Sequence, residues 1–108
     1  MNIYNLCRQT VTVYRAEGDT VSRRVLPRVF LEFRGKRKTD RVGIREDTGF
    51  LLVVPGEEQA VALGDKVVPG EGPELTKAQW AALTGCCVVR WAEQKYFDGK
   101  PVHTEAGG

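Results

Sequence analysis

The sequence has no long apolar run. Its longest uninterrupted apolar stretch covers five residues, 50–54, whereas a transmembrane helix needs about 20. The first residues, MNIYN, also lack the basic and then apolar segments of a signal peptide. We therefore expect a chain that is made in the cytoplasm and has no membrane partner.

Side chains that hold metals or act as nucleophiles are scarce as well. His103 is the only histidine of the 108 residues, and the three cysteines are Cys7, Cys86 and Cys87. No pair among them has the spacing that places two ligands on one metal ion. An odd cysteine count with one adjacent pair does not indicate a disulfide framework, so we expect reduced thiols that pack as small apolar residues.

Sequence patterns for catalysis are equally sparse. The sequence has no glycine-rich phosphate-binding loop, and its paired carboxylates are adjacent residues in turns. A Cys87–His103 pair is geometrically conceivable across the C-terminal turn, but nothing in the sequence supplies the cleft that would activate the thiol. We therefore predict no catalytic residues, no metal ligands and no cofactor.

Charge, in contrast, is abundant and unevenly distributed. Residues 23–45 carry nine basic and two acidic side chains, a net charge of +7, whereas residues 46–108 carry five basic and ten acidic ones, a net charge of −5. The formal net charge of +2 for the whole chain hides this division. Such a chain is able to attract a polyanion with one segment and a basic neighbour, or a second copy, with the other.

Local patterns in the N-terminal half are typical of β-strands. Residues 10–14 alternate and are rich in β-branched side chains, which favours a half-buried strand. Residues 16–19 are turn-forming, so we expect a hairpin leading into a second strand at about residues 25–33. Pro27 lacks an amide hydrogen, which predicts an edge or a bulge at this end of the second strand.

The C-terminal half carries two further strand signals. The apolar residues 50–54 end at Pro55-Gly56, as expected of a strand that is covered on both faces. Asp98-Gly99 is a strong two-residue turn signal, and it predicts a hairpin at the C-terminus.

A single helix is predicted, over residues 75–83. Thr76 is the expected N-cap, and Gln79 follows three residues later, as a capping box requires. Gly85 is expected to end the helix in a left-handed conformation. Because so short a helix is marginal alone, Trp80 and the flanking leucines should pack it against the sheet.

These elements together indicate the fold class. Short strands joined by turns and interrupted by one helix predict a mainly β fold, a small antiparallel barrel or sandwich. It should contain one short α-helix at about residues 75–83 and a C-terminal hairpin. By length, residues 1–108 form a single β-rich domain.

The densest basic cluster lies in a polar segment that we interpret as an exposed loop. It consists of Arg34, Lys36, Arg37, Lys38 and Arg41. One interpretation is contact with nucleic-acid phosphates, which would be sensitive to salt. The others are a loop that pairs with acidic side chains of a neighbouring subunit, or one that is simply solvated. The sequence leaves these three open.

Several short motifs follow one another along most of the chain. Ile3-Tyr4-Asn5 precedes the first strand, and residues 63–70 read LGDKVVPG. The chain closes with residues 91–103, WAEQKYFDGKPVH. In this order they resemble small minor structural proteins of tailed bacteriophages and prophages, the minor capsid or head–tail connector proteins encoded between the major capsid and tail-tube genes.

That resemblance implies a non-enzymatic role in virion assembly. The chain would be a subunit of a homo-oligomeric ring at the neck of the particle or in the capsid. Its partners would be portal, tail or neck proteins, with non-specific contact between the basic loop and packaged DNA. It would reside in the bacterial cytoplasm during assembly and then in the virion.

Two other functions compete with this one. The first is a small β-barrel module that binds nucleic acid through the basic loop at residues 34–41. The second is an enzyme or redox protein that uses Cys86 and Cys87, which would require a thiol with a lowered pKa.

Overall fold

The computed structural model describes residues 6–34, 39–40, 43–44 and 49–108. In this part of the chain the strands are β1 (Gln9–Glu17), β2 (Thr20–Arg34), β3 (Thr39–Asp40), β4 (Gly43–Ile44), β5 (Gly49–Pro55), β6 (Lys66–Pro69), β7 (Cys87–Val88), β8 (Trp91–Phe97) and β9 (Lys100–Gly107), and the helix is α1 (Lys77–Ala82). None of the helical residues described forms a segment long and apolar enough to cross a membrane.

Seven of the strands form one antiparallel sheet. Their order is β7-β6-β1-β2-β5-β9-β8, and β3 pairs with β4 separately. The predicted mainly β class, with one short helix and a C-terminal hairpin, is confirmed. Within the described ranges β7 and β8 are not paired with each other, so the sheet does not close into a barrel.

Strand β2 connects the two halves of the sheet, which are β7, β6 and β1 on one side and β5, β9 and β8 on the other. Its first part pairs with β1, and its last five residues pair with β5. Near the point where pairing with β1 ends on one edge and pairing with β5 begins on the other, β2 has one extra residue relative to β1, and Arg28 adopts a left-handed φ of 59°. This bulge lies beside Pro27, as predicted. Beyond the bulge, where the backbone of β1 no longer pairs with β2, the side chain of Gln9 takes its place. It accepts from the Leu31 N–H at 2.7 Å and donates to the Leu31 carbonyl at 3.2 Å.

Both halves of the sheet contribute to one apolar core. Its members are Val11, Val13, Val29, Leu31, Phe50, Leu52, Val54, Ala60, Val61, Val67, Cys87, Val89 and Ala106. Burial alternates strictly along β5, where Leu52 is buried and its neighbours Leu51 and Val53 are half-buried. The prediction that this strand is covered on both faces therefore holds fully for its inner face and only in part for its outer face.

A buried carboxylate holds the turn before β6. Asp65 is only 2% exposed and accepts two hydrogen bonds from the Arg15 guanidinium, both of 2.9 Å. It also accepts from the Ala62 N–H at 2.9 Å. The backbone of Asp65 accepts from the Val89 N–H at 2.8 Å. The LGDKVVPG segment therefore joins β1, β6 and the residues after β7, since all these bonds converge on Asp65.

The helix begins as predicted and ends earlier. Thr76 is the N-cap, and it exchanges two hydrogen bonds with Gln79 in a full capping box. Gly85 does have a left-handed φ of 72°, but α1 ends at Ala82 with an extended Leu83 as its C-cap. The prediction that Gly85 terminates the helix is wrong because Leu83 already caps it, donating its N–H to a carbonyl in the last turn.

Trp80 holds the helix at the surface of the sheet rather than in its core. No residue of α1 is buried, and Trp80 lies outside the core cluster. The ammonium of Lys66 on β6 sits 4.3 Å from the centroid of the Trp80 ring and donates to the Trp80 carbonyl at 2.7 Å. A cation–π contact and a hydrogen bond thus help to attach the helix. The predicted packing through Leu75, Trp80 and Leu83 is partial, since all three side chains are half-buried.

The bulge gives a first testable prediction. Replacing Arg28 with Val should lower the free energy of unfolding by about 1–2 kcal/mol, because a β-branched residue strongly disfavours a left-handed φ. Replacing it with Asn removes the same charge but tolerates this conformation, so Arg28→Asn should be close to neutral. Urea denaturation of both variants measures the difference, and equal stabilities would contradict the bulge geometry.

The Asp65 carboxylate gives a second prediction. Asp65→Ala should lower the free energy of unfolding by about 3 kcal/mol, because Arg15 and the Ala62 N–H lose their partner. Glu58→Ala, which removes an exposed carboxylate, should cost less than about 0.5 kcal/mol. A double-mutant cycle with Arg15→Ala should show a positive coupling energy, and additive losses would mean that the two side chains do not interact.

Candidate protein interface

The predicted basic loop falls largely outside the described residues. This holds for Lys36, Arg37, Lys38 and Arg41. For Arg34 the structure describes only the backbone, which ends β2 and pairs with Gly49 of β5. Contact of this loop with DNA or with a neighbouring subunit stays a prediction.

Two arginines at the start of the basic segment have structural roles instead. Arg23 donates from Nε to the Gly72 carbonyl at 2.6 Å, and its Nη2 lies 3.4 Å from the Glu71 carboxylate. Arg24 donates to the Ala60 carbonyl. Part of the positive charge of residues 23–45 is therefore used inside the fold, on the acidic half of the chain. Sequence reasoning missed this because the partners are 36 to 49 residues away.

The C-terminal hairpin displays two large aromatic side chains. Strands β8 and β9 are joined by Asp98-Gly99, with φ values of 53° and 77°. Two successive positive φ values are those of the tight hairpin turn that this dipeptide predicts. Immediately before the turn, Tyr96 is 63% exposed and Phe97 is 76% exposed. We call these two residues the aromatic tip.

The base of the hairpin is fixed to the rest of the fold. The Gln94 side chain on β8 donates to the Glu57 carbonyl. Thr104 on β9 is fully buried, donates to the Glu58 carbonyl at 3.3 Å and accepts from the Ala60 N–H at 3.3 Å. These bonds join both strands to the segment after β5. The tip is therefore presented on a hairpin whose base is held on both strands.

The outer face of the hairpin carries two acid–base pairs. Along β8, the Lys95 ammonium lies 3.1 Å from the Glu93 carboxylate, and this hydrogen bond raises the pKa of Lys95. Along β9, His103 Nε2 lies 3.1 Å from the Glu105 carboxylate. Glu93 and Glu105 are directly opposite one another, and each contacts a nitrogen-bearing side chain two residues away on its own strand.

Strand β8 also carries aromatic surface at its other end. Trp91 is 45% exposed and lies on the same face as Glu93, Lys95 and Phe97, because alternate residues of a strand share a face. Its ring covers Gly107 on β9, where a Cβ atom would come within 2.6 Å of the indole. Large aromatic side chains are enriched in protein interfaces.

The three cysteines are free thiols. Cys7 and Cys87 are buried, and Cys86 is half-buried. Burial, with a smaller contribution from the neighbouring Cys86, raises the pKa of Cys87 to about 11. This is the reverse of the lowered pKa that an activated thiol needs. Among the described residues, no group of three or more His, Cys, Asp or Glu side chains is placed to hold a metal ion.

Comparison with known proteins finds no relative of this chain. No protein-family model, no curated protein and no solved structure matches the chain. A functional hypothesis therefore depends on the residues, on their geometry and on the sequence resemblance described above.

The buried thiol gives a third prediction. Between about pH 9 and 11 the unfolded chain loses the Cys87 proton while the folded chain keeps it. The contribution of this thiol to stability is thus complete below about pH 9 and declines by roughly 2 kcal/mol as the pH rises to 11. Chemical denaturation across this range should show a smaller decline for Cys87→Ala than for the original chain. Parallel curves would contradict the raised pKa.

Proposed function

We propose that this chain is a non-enzymatic assembly protein of tailed phage or prophage particles, a subunit of a head–tail connector or minor capsid ring. The observation that carries the proposal is the aromatic tip, Tyr96 and Phe97, exposed on a tight hairpin. Large aromatic side chains left in water at a fixed position mark surfaces that another protein covers.

The way in which the tip is held supports the same role. Its turn has two left-handed residues, and bonds from Gln94 and Thr104 fix the hairpin base. A rigid tip loses little conformational entropy when a partner covers it, so more of the contact energy remains as affinity. In the proposed role, the tip contacts a portal, tail or neck protein or a neighbouring copy in the ring.

The sequence resemblance to phage minor structural proteins is the second support. One of the motifs that carries it, LGDKVVPG, contains the buried Asp65 that joins three parts of the sheet. Another, the closing segment, contains the aromatic tip. The first motif thus has a structural role in the fold, and the second would have a role in the proposed contact.

Particles purified after induction of the prophages in the source strain test the proposal directly. Quantitative mass spectrometry should detect peptides of this chain in a fixed ratio to the portal protein, and that ratio gives the number of subunits. A chain that is present in the cells but absent from the particles would overturn the proposal. Strong salt-dependent DNA binding that is lost on neutralising Lys36, Arg37 and Lys38 would then favour the nucleic-acid-binding alternative.

Variants of the tip give a fourth prediction. Changing both Tyr96 and Phe97 to Ser should leave the melting temperature of the monomer, measured at low protein concentration, nearly unchanged, because both side chains are exposed in a single chain. Incorporation into particles should fall about tenfold or more, as expected when aromatic anchors of a contact are removed. Leu63→Ser removes an apolar side chain that is 73% exposed in a different turn, and it should be incorporated normally. Equal incorporation of both variants would mean that the tip is not the contact.

A further inference from the structure

Strand β8 is the longer of the two edges of the seven-stranded sheet. It has seven residues, whereas β7 at the opposite end has two. In the part of the chain that the structure describes, the backbone of β8 is paired only with β9. An edge of this length offers unpaired N–H and C=O groups to a further strand.

The charges of β8 match a second copy of the same strand. When two β8 strands lie antiparallel with Gln94 opposite Gln94, each Glu93 lies opposite Lys95 of the second copy. Opposite charges in directly opposed positions stabilise an antiparallel pair, and like charges destabilise it. Moving the register by two residues places Glu93 opposite Glu93 in one direction and Lys95 opposite Lys95 in the other. The charges therefore select one register.

The aromatic residues of β8 match in the same register. Trp91 lies opposite Phe97 of the second copy at both ends of the paired strands, on the face that carries the charges. On the other face, the large Tyr96 lies opposite the small Ala92. Trp91, Tyr96 and Phe97 are the three side chains of β8 that expose large apolar surface. A second copy would thus cover each of them.

From this self-complementarity we propose that two copies of the chain form a dimer through antiparallel pairing of their β8 edges, about a two-fold axis at Gln94. The contact continues the sheet of one copy into the sheet of the other. The contact contains two Glu93–Lys95 pairs and two Trp91–Phe97 pairs, each formed between one copy and the other. We expect a second copy of the chain to pair with the β8 edge, because the sequence of β8 is complementary to itself in the antiparallel direction.

The dimer is a property of the free chain and does not depend on the proposed role in virions. A two-fold contact of this kind closes on two copies, whereas a ring needs a head-to-tail contact. Since Phe97 would be covered in the dimer, the dimer would have to open before the aromatic tip meets another virion protein.

Sedimentation equilibrium over a concentration series tests the dimer. The original chain should shift from the 12.0 kDa monomer toward twice that mass. Glu93→Lys and Lys95→Glu each place like charges opposite one another, so each should raise the dissociation constant about tenfold or more. Glu74→Lys makes the same charge change in an exposed loop and should dimerise like the original chain. Circular dichroism checks that each variant is folded.

Mixing the two variants is the decisive measurement. Glu93→Lys has two lysines on β8 and Lys95→Glu has two glutamates, so an equimolar mixture should recover a dimer with one chain of each. Uniform nitrogen-15 labelling of one variant lets native mass spectrometry identify the mixed dimer. The recovery cannot come from the Lys95–Glu93 pair within one chain, because neither variant contains it. A monomeric original chain, single variants that dimerise normally, or a mixture that stays monomeric would each overturn the proposal.

Discussion

The fold depends on one constraint, that strand β2 must pair in two halves of the sheet. β1 and β5 pair with opposite edges of β2, β1 along its first part and β5 along its last five residues, so this one strand joins the two halves. The bulge at Pro27–Arg28 lies where pairing with β1 ends, and it contains a left-handed residue that is not glycine. Gln9 then satisfies the Leu31 backbone where β1 has ended. Both halves can contribute to one core because a single strand connects them.

The signals that predict this fold are those that act over a few residues. The capping box of Thr76 and Gln79 and the Asp98-Gly99 turn were correctly predicted because each needs only its own neighbours. The pairing of Arg15 with Asp65 joins residues 50 apart, and the sequence offers no local sign of it. The error at Gly85 has a similar cause. A glycine near the end of a helix marks a left-handed residue, but whether the helix reaches it depends on the backbone between them.

The candidate site was harder to predict than the fold. The charge division of the sequence drew attention to residues 23–45, yet Arg23 and Arg24 bond to backbone carbonyls of the same chain. The aromatic tip had no comparable signal, because Tyr96 and Phe97 have the composition of an ordinary buried strand. Their exposure follows from the position of β8 at the end of the sheet, which only the strand order reveals. Composition thus indicated where charge is concentrated, and topology indicated which apolar side chains lack cover.

An exposed edge strand is hazardous for a free protein, because any extended chain can add to it. Natural edge strands are commonly protected against strand addition by a lysine. Strand β8 does contain Lys95, but the carboxylate of Glu93, two residues earlier, neutralises its charge. What remains is a selective pattern, in which the charges oppose one another in one register and repel in the neighbouring ones. A self-complementary edge of this kind would protect the strand while the chain is free. In the proposed assembly role, a contact that is specific and also reversible would fit better than an edge blocked permanently.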